Sequence, residues 1–514
     1  HGGQLGVGGA PRDSEGAGWA RQFPPEVLPG LEAFRDLWDP GHHLGAGPHL
    51  SASVVGAEQE EAASRPAPSH LRYPDDGGSP VAAAGRCVGV SLCRADDHGL
   101  MCPSYQVTRD EVHSPRGRAR LLQGWLSAKR PAGQARAVRE ALDLCMECKG
   151  CKSACPRSVD VATYKADFLS HYYRFRLRPR LAHSAGRIYR WARLAAWAPG
   201  LANALLEAPG VGRLLRWAAG FAPERRLPRF APRTFRERYL ARSRSPRPGQ
   251  PRVILWVDTF YNHFRPAVAC AAVEALEAAG FQVDIPPSPL CCGRPLYGFG
   301  LLEQAKLHLR ETLLTLETEI VHGTPVVGLE PGCLSVLRDE LLSLFPGSPA
   351  ARTLARQTHL LPEFLMRYAP QHPWPQLEGE ALVLGHCHQR AQGGAAADVA
   401  LLERLGLRAR PLEVGCCGMA GAFGYGRDTF AMSLQCADRA LVPALQAASS
   451  EALIVASGFS CAEQIAQTSL RQALHPAEVV QFALRGGAYR LPGQTDASHD
   501  AWRPEERPPE HLAT

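Results

Sequence analysis

The sequence is poor in methionine, with 5 among 514 residues, and it has no long apolar run. Its most apolar stretch, Leu194 to Ala222, is broken by Pro199, Glu207, Pro209, Arg213 and Arg216. A membrane-spanning helix needs about 20 predominantly apolar residues, so contact with a bilayer is expected only at its surface. The net charge of +7 is too small to imply nucleic acid as a partner, and none is expected. No methionine opens the chain at His1, and no leader of basic then apolar residues follows. The opening therefore reads as part of a longer frame.

With 45% hydrophobic and 21% charged residues the composition is globular. The length suits about two to four domains. Sixteen cysteines are too dilute for a disulfide scaffold, and they cluster at short spacings. That pattern predicts thiols kept reduced for metal, in a cytoplasmic setting.

Seven of them lie between Cys87 and Cys155. The run Cys145-x2-Cys148-x2-Cys151-x3-Cys155-Pro156 is the two-cluster ferredoxin spacing, in which three thiolates come off one loop. The fourth, turned away at a helix start, ligates the other cluster. The partner run is Cys87, Val90, Cys93 and Cys102-Pro103, with valine where the middle cysteine should stand. Crossing the fourth cysteines gives one full set for a 4Fe-4S cluster: Cys145, Cys148, Cys151 and Cys102. The other set has Cys87, Cys93 and Cys155, and is either a 3Fe-4S cluster or a 4Fe-4S cluster with an oxygen or nitrogen ligand. Asp96, Asp97 and His98 are the nearest candidates. Arg94, Lys149 and Lys152 stand close enough in sequence to raise a cluster's potential.

The expected fold is multidomain: an α-helical two-cluster ferredoxin-like module, then an α/β pseudo-twofold repeat. Residues 1–48 carry a helical piece over Pro25–Asp39, 49–83 read as a linker, and 84–173 as the double-cluster domain. Ser114-Pro115 reads as the N-cap and first residue of a helix through Ala128. Residues 174–250 are basic, rich in tryptophan and helical in pieces. Such a segment either lies on anionic lipid or packs across the domains as a solvated arm. Residues 491–514 are expected to be disordered.

Between 251 and 490 the chain repeats, as 251–370 and 371–490. Each copy has a strand, a helix, a Cys-Cys-Gly tripeptide and a second strand followed by cysteine. Alternating strands and helices predict a parallel sheet, with cysteines past the strands' carboxyl ends. A pseudo-twofold would bring the two tripeptides together. The second copy offers Cys387, Cys416, Cys417 and Cys461, a full shell for a metal or cluster. The first offers Cys291, Cys292 and Cys333, with Asp258 matching Cys387, so its site is mixed-ligand, weak or vestigial. Lone Cys270 and Cys436 read as core thiols, and His386 and His388 as neighbours that orient a ligand.

The stretches Met101-Cys102-Pro103-Ser104-Tyr105 and His113-Ser114-Pro115-Arg116-Gly117-Arg118-Ala119, with the Cys-Cys-Gly repeats, resemble the FAD/iron–sulfur D-2-hydroxy-acid (D-lactate) dehydrogenases. They are also similar to the iron–sulfur subunits of glycolate oxidase and anaerobic glycerol-3-phosphate dehydrogenase, and to heterodisulfide reductase. His1-Gly2-Gly3-Gln4 and Trp38-Asp39-Pro40 resemble the tail of that family's flavin-domain cap. The resemblance implies the electron-transfer half of such an enzyme, with FAD held by a domain upstream or on a separate subunit. Electrons would cross the Cys145 cluster, then the Cys87 cluster, then the Cys-Cys-Gly site, and leave to a quinone or another carrier. Peripheral contact with the inner face of a membrane fits that role. A free-standing subunit, a thiol/disulfide enzyme like heterodisulfide reductase and a zinc scaffold are the alternatives.

The crossed ligation makes a test. Cys102→Ala should remove the cluster signal of the Cys145 loop, and Cys155→Ala that of the Cys87 loop. Electron paramagnetic resonance on anaerobically prepared protein checks this, and the opposite assignment would refute it.

Overall fold

The computed structural model describes residues 26–38, 70–90, 92–95, 101–127, 132–242 and 249–486. His1–Gln4, Asp39-Pro40, most of the 49–83 linker, Asp96, Asp97, His98 and the 491–514 tail lie outside them.

The helix expected over Pro25–Asp39 runs from Leu28 to Trp38. In the cysteine-rich module, helices Pro103–Thr108, Pro115–Ser127, Ala132–Asp143 and Val161–Tyr172 surround the thiols. Ser114 Oγ accepts the Gly117 amide at 2.9 Å, the cap that the Ser-Pro pair predicts. Leu122 and Trp125 on that helix are buried, and Trp125 meets Phe168 edge to face at 4.9 Å. Cys102 is the N-cap of Pro103–Thr108, so one Cys-Pro pair does open a helix. Cys155-Pro156 does not: Ser158 turns at φ 49° and the next helix starts at Val161, capped by Asp160.

Two four-stranded sheets follow. The first holds β1 (Arg252–Trp256), β2 (Gln282–Asp284), β3 (Val326–Gly328) and β4 (Thr358–Leu360), in the order β2-β1-β3-β4. The second holds β5 (Glu380–Val383), β6 (Arg408–Pro411), β7 (Leu453–Val455) and β8 (Ala473–Leu474), in the order β6-β5-β7-β8. The strands pair in parallel throughout both sheets. Parallel neighbours require crossovers, supplied by helices such as Pro266–Ala278 and Ala396–Arg404. Both sheets therefore direct their carboxyl ends to one edge. The strand order reverses beside β1 and β5, where open α/β sheets form clefts.

Two buried clusters tie the described parts of the molecule together. One buried cluster spans both sheets, with Val253, Val327, Ala381, Val383 and Val455 among its members. Another joins the module to the first sheet, linking Leu142, Tyr164 and Phe168 to Trp256 and Val326. The basic segment forms short helices Ile188–Ala195, Pro199–Glu207, Val211–Ala219 and Phe235–Ala241, of which the second and third stop at Pro209-Gly210 and Gly220. Among the described residues no helix is long and apolar enough to cross a membrane.

The module meets the first sheet at Gly300, whose φ is 67° and where a Cβ would lie 2.6 Å from the Ser170 amide. Gly300→Ala therefore combines left-handed strain with backbone overlap, and should cost about 1–3 kcal/mol. A lowered thermal midpoint, with faster proteolysis between module and sheet, is the expected reading.

Candidate metal centres

In the Cys145 loop, Glu147 and Lys149 both take left-handed backbone, at φ 55° and 57°. Neither is glycine, so the loop holds strain of the kind that marks functional turns. The geometry aims amides at sulfur: Glu147 N–H serves Cys145, Gly150 N–H serves Cys148 and Val161 N–H serves Cys151. Burial pushes all three thiols up, Cys148 to about 12, and its next largest influence is Cys102. Cys102 is held by buried Arg118, whose Nη1 lies 3.5 Å from Sγ while Nε donates to Ala141 O and Nη2 to Ser104 Oγ. Cys102 thus lies near Cys148 and also near Cys93.

Cys87, Cys93 and Cys155 gather next to this group. Burial raises the Cys87 thiol with Cys155 as a neighbour, and raises Cys93 to about 11 with Cys87 and Cys102 as neighbours. Cys87 and Cys155 are only partly buried, and Val90 is 59% exposed. The expected influence of Lys149 and Lys152 on a cluster is tempered by ion pairs. Lys149 Nζ lies 2.5 Å from Asp339 and 3.1 Å from Glu340, and Lys152 Nζ lies 2.6 Å from Asp339. Both acids come from a π-helical turn, Val336–Glu340, a rare geometry concentrated at functional sites. Arg94 pairs with Glu111 at 3.3 Å.

At the sheet edges, Gly293 and Gly418 take φ 75° and 88°, which lets each Cys-Cys pair curl inward. Their amides donate to Cys291 and Cys416 Sγ at 3.4 Å. Cys292 and Cys333 sulfurs lie 2.9 Å apart, and Cys417 and Cys461 sulfurs 3.7 Å apart. Buried Asp258 stands near Cys291 and Cys333; one oxygen caps helix Thr259–His263 and the other, Oδ2, has no hydrogen-bond partner. The donor types are those of a mixed shell at the first edge and of a four-thiol site at the second, although among the described residues neither set has three ligand atoms within 4.8 Å of one another.

His386, Cys387 and His388 bring ligand-type atoms within 4.8 Å of one another. Protein groups already engage both rings: His386 Nδ1 accepts the His388 amide, and His388 Nε2 lies 3.0 Å from Glu147 O. Cys270 and Cys436 are buried on helices Pro266–Ala278 and Phe430–Cys436, as core thiols would be.

The structure corrects the expected order of groups. Cys148 and Cys387 share a buried contact, and Cys416 Sγ lies 3.7 Å from Met146 Sδ. The Cys145 loop, rather than the Cys87 group, abuts the second Cys-Cys-Gly edge. Spacing alone could not reveal this, because it is set by where the module docks. Arg294 makes the joint: Nη2 donates to Glu147 O at 2.8 Å and Nη1 contacts Glu340 at 2.5 Å. Glu330 spans the two sheets, accepting Gly332 N–H at 3.1 Å and Phe459 N–H at 2.7 Å. Sequence reasoning missed both residues. Arg294 follows a Cys-Cys-Gly directly and could have been found; Glu330 gave no cue.

Two family models match. The "4Fe-4S dicluster domain" covers residues 83–159 and the "Cysteine-rich domain" covers 259–338. D-2-hydroxyglutarate dehydrogenases of Pseudomonas putida and Escherichia coli are each 26% identical, over 93% and 92% of this chain. These likenesses support the resemblance to the FAD/iron–sulfur hydroxy-acid dehydrogenases. It spans about half the length of these relatives, 52% and 51%. Lactate utilization protein A 2 of Bacillus cereus is 26% identical over 45% of this chain and 99% of its own length.

Burial of Glu330, then the charge of Asp258, raises its carboxyl to about 8 from an ordinary 4.5. A raised folded value favours the protonated form, so this contribution to stability is complete below about pH 4.5 and is lost on rising through 8. Glu330→Gln cannot ionise. The stability of wild type relative to Glu330→Gln should therefore fall between those limits, read by chemical denaturation of metal-free protein; a constant difference would refute it.

Proposed function

We propose that this chain is the electron-transfer half of a flavin-dependent 2-hydroxy-acid dehydrogenase, of the D-lactate or glycolate kind. An electron-transferring oxidoreductase role follows from its family models and relatives. The observation that carries the finer reading is the contact of Cys148 with Cys387, which makes one continuous row of thiol groups. Cys145, Cys148, Cys151 and Cys102 would hold one cluster and Cys87, Cys93 and Cys155 another. Cys387, Cys416, Cys417 and Cys461 would hold a third centre, and Cys291, Cys292, Cys333 and Asp258 a metal. Bound clusters supply one-electron chemistry, and the protein supplies ligation and electronic tuning.

The chain's own residues shape each step of that row. Amides donated to Cys145, Cys148 and Cys151 stabilise electron-rich sulfur and raise potential. Arg118 does the same at Cys102. The partly exposed Cys87 and Cys155 form the face open to a donor, which supports entry there, passage by the Cys145 loop and arrival at Cys387. FAD would sit on an upstream domain or a separate subunit, and a quinone or another carrier would take the electrons. The near-complete coverage of the Bacillus cereus protein, a much shorter chain, favours the separate-subunit arrangement as the second reading. Disulfide exchange is disfavoured because Cys387, Cys416, Cys417 and Cys461 are all buried away from a solvent-borne disulfide.

Anaerobically reconstituted protein should contain iron and sulfide and show signals that dithionite changes. Cys387→Ser should remove one signal and leave the Cys145 and Cys87 signals in place. Zinc without iron or sulfide, or loss of every signal together in a folded variant, would overturn the reading.

A further inference from the structure

The helices Pro199–Glu207 and Val211–Ala219 form a hairpin that turns its apolar side outward. Gly210 makes the turn at φ 77°, and Gly212 brings the helices together, since a Cβ there would lie 2.2 Å from Leu206 O. Leu201 and Leu205 at i,i+4, and Val211, Leu214 and Leu215 at i,i+3,i+4, are 40–63% exposed, and Trp197 just before them is 91% exposed. These spacings place each set on one helix face. A stripe of this kind normally faces the core, and among the described residues this one faces outward.

Charge accompanies the stripe. From 174 to 219 there are nine arginines, at 174, 176, 178, 180, 187, 190, 193, 213 and 216, and one acid, Glu207. That acid is paired with Arg229 at 2.9 Å. Arg190, Arg193 and Arg213 are exposed. Arg180 lies over the Trp217 ring, 4.1 Å from its centroid, presenting cation and indole together. The body holds the hairpin through Asn203, which exchanges two 2.9 Å hydrogen bonds with the Phe230 backbone.

We infer that this hairpin seats the protein on an anionic lipid surface, with Trp197, Leu201, Leu205, Val211, Leu214 and Leu215 in the headgroup–acyl boundary. Arginine around an exposed apolar face, with almost no acid, is complementary to anionic headgroups. A protein partner seated on the same face is the alternative that the vesicle test separates. The inference rests on the peripheral contact proposed for this segment, and it gives that contact its residues. Arg187, Tyr189 and Arg190, at the root of the hairpin, also line a cleft with Cys291. The docked face thus lies beside the first Cys-Cys-Gly edge.

The test is co-sedimentation of the full chain with vesicles of phosphatidylcholine alone or with phosphatidylglycerol, at low and high salt. Binding should be at least ten-fold stronger to the anionic vesicles, weaken with salt and shift tryptophan emission to the blue. Leu201→Glu with Leu214→Glu should abolish it, and Arg190→Gln with Arg213→Gln should weaken it several-fold. Should a variant misfold by circular dichroism, quenching of wild-type tryptophans by brominated lipid decides instead, and absence of quenching overturns the inference. Equal binding to both vesicles, no binding, or self-association removed by the leucine changes would also overturn it. Cluster signals recorded on the same samples keep this outcome separate from the electron-transfer reading.

Discussion

The contact that the rest depends on is the grip of Arg294 on the Glu147 carbonyl. It ties the strained Cys145 loop, on the helical module, to the Cys-Cys-Gly edge of the first sheet. Glu147 contributes from its side chain too, pairing with Lys165 at 2.9 Å. His388, from the second sheet, meets the same carbonyl. One peptide group of the loop therefore registers three parts of the molecule against each other. Around it Lys149 and Glu340 are buried beside half-buried Asp339, an arrangement whose desolvation cost is offset only when each charge keeps its partners.

That joint explains why the thiols can be so deeply buried. A buried thiol resists ionisation, and Cys93, Cys148 and Cys333 are pushed to between about 11 and 12. Metal binding must displace those protons, so loading couples to pH and to folding. Amides aimed at the Cys145, Cys148 and Cys151 sulfurs favour the thiolate once the protons leave. The same donors then tune whatever centre the thiolates hold.

Much of the module was legible in the chain. The Cys145–Cys155 spacing suggested a crossed grouping, since loop pitch is a local property, and that grouping stands as the proposal made above. Ser114-Pro115 placed its helix for the same reason. The repeat led to two sheets of like strand order, although β4, β8 and the polar β6 (Arg-Ala-Arg-Pro) were less visible. Buried β4 and β8 are only three and two residues long, too short to show a period, and β6 leaves most of its side chains exposed.

Sequence by itself determined the candidate residues: the cysteine sets, the glycines that let paired cysteines curl, and the asymmetry of Asp258 against Cys387. Tertiary structure alone decided their neighbours. It placed Cys148 against Cys387, moved the Cys87 group to the outside and drew Glu330 between the sheets. The physical reason is range: ligand spacing and capping act over a few residues, whereas docking is settled by apolar surfaces hundreds of residues apart, and no local pattern records which of them will meet.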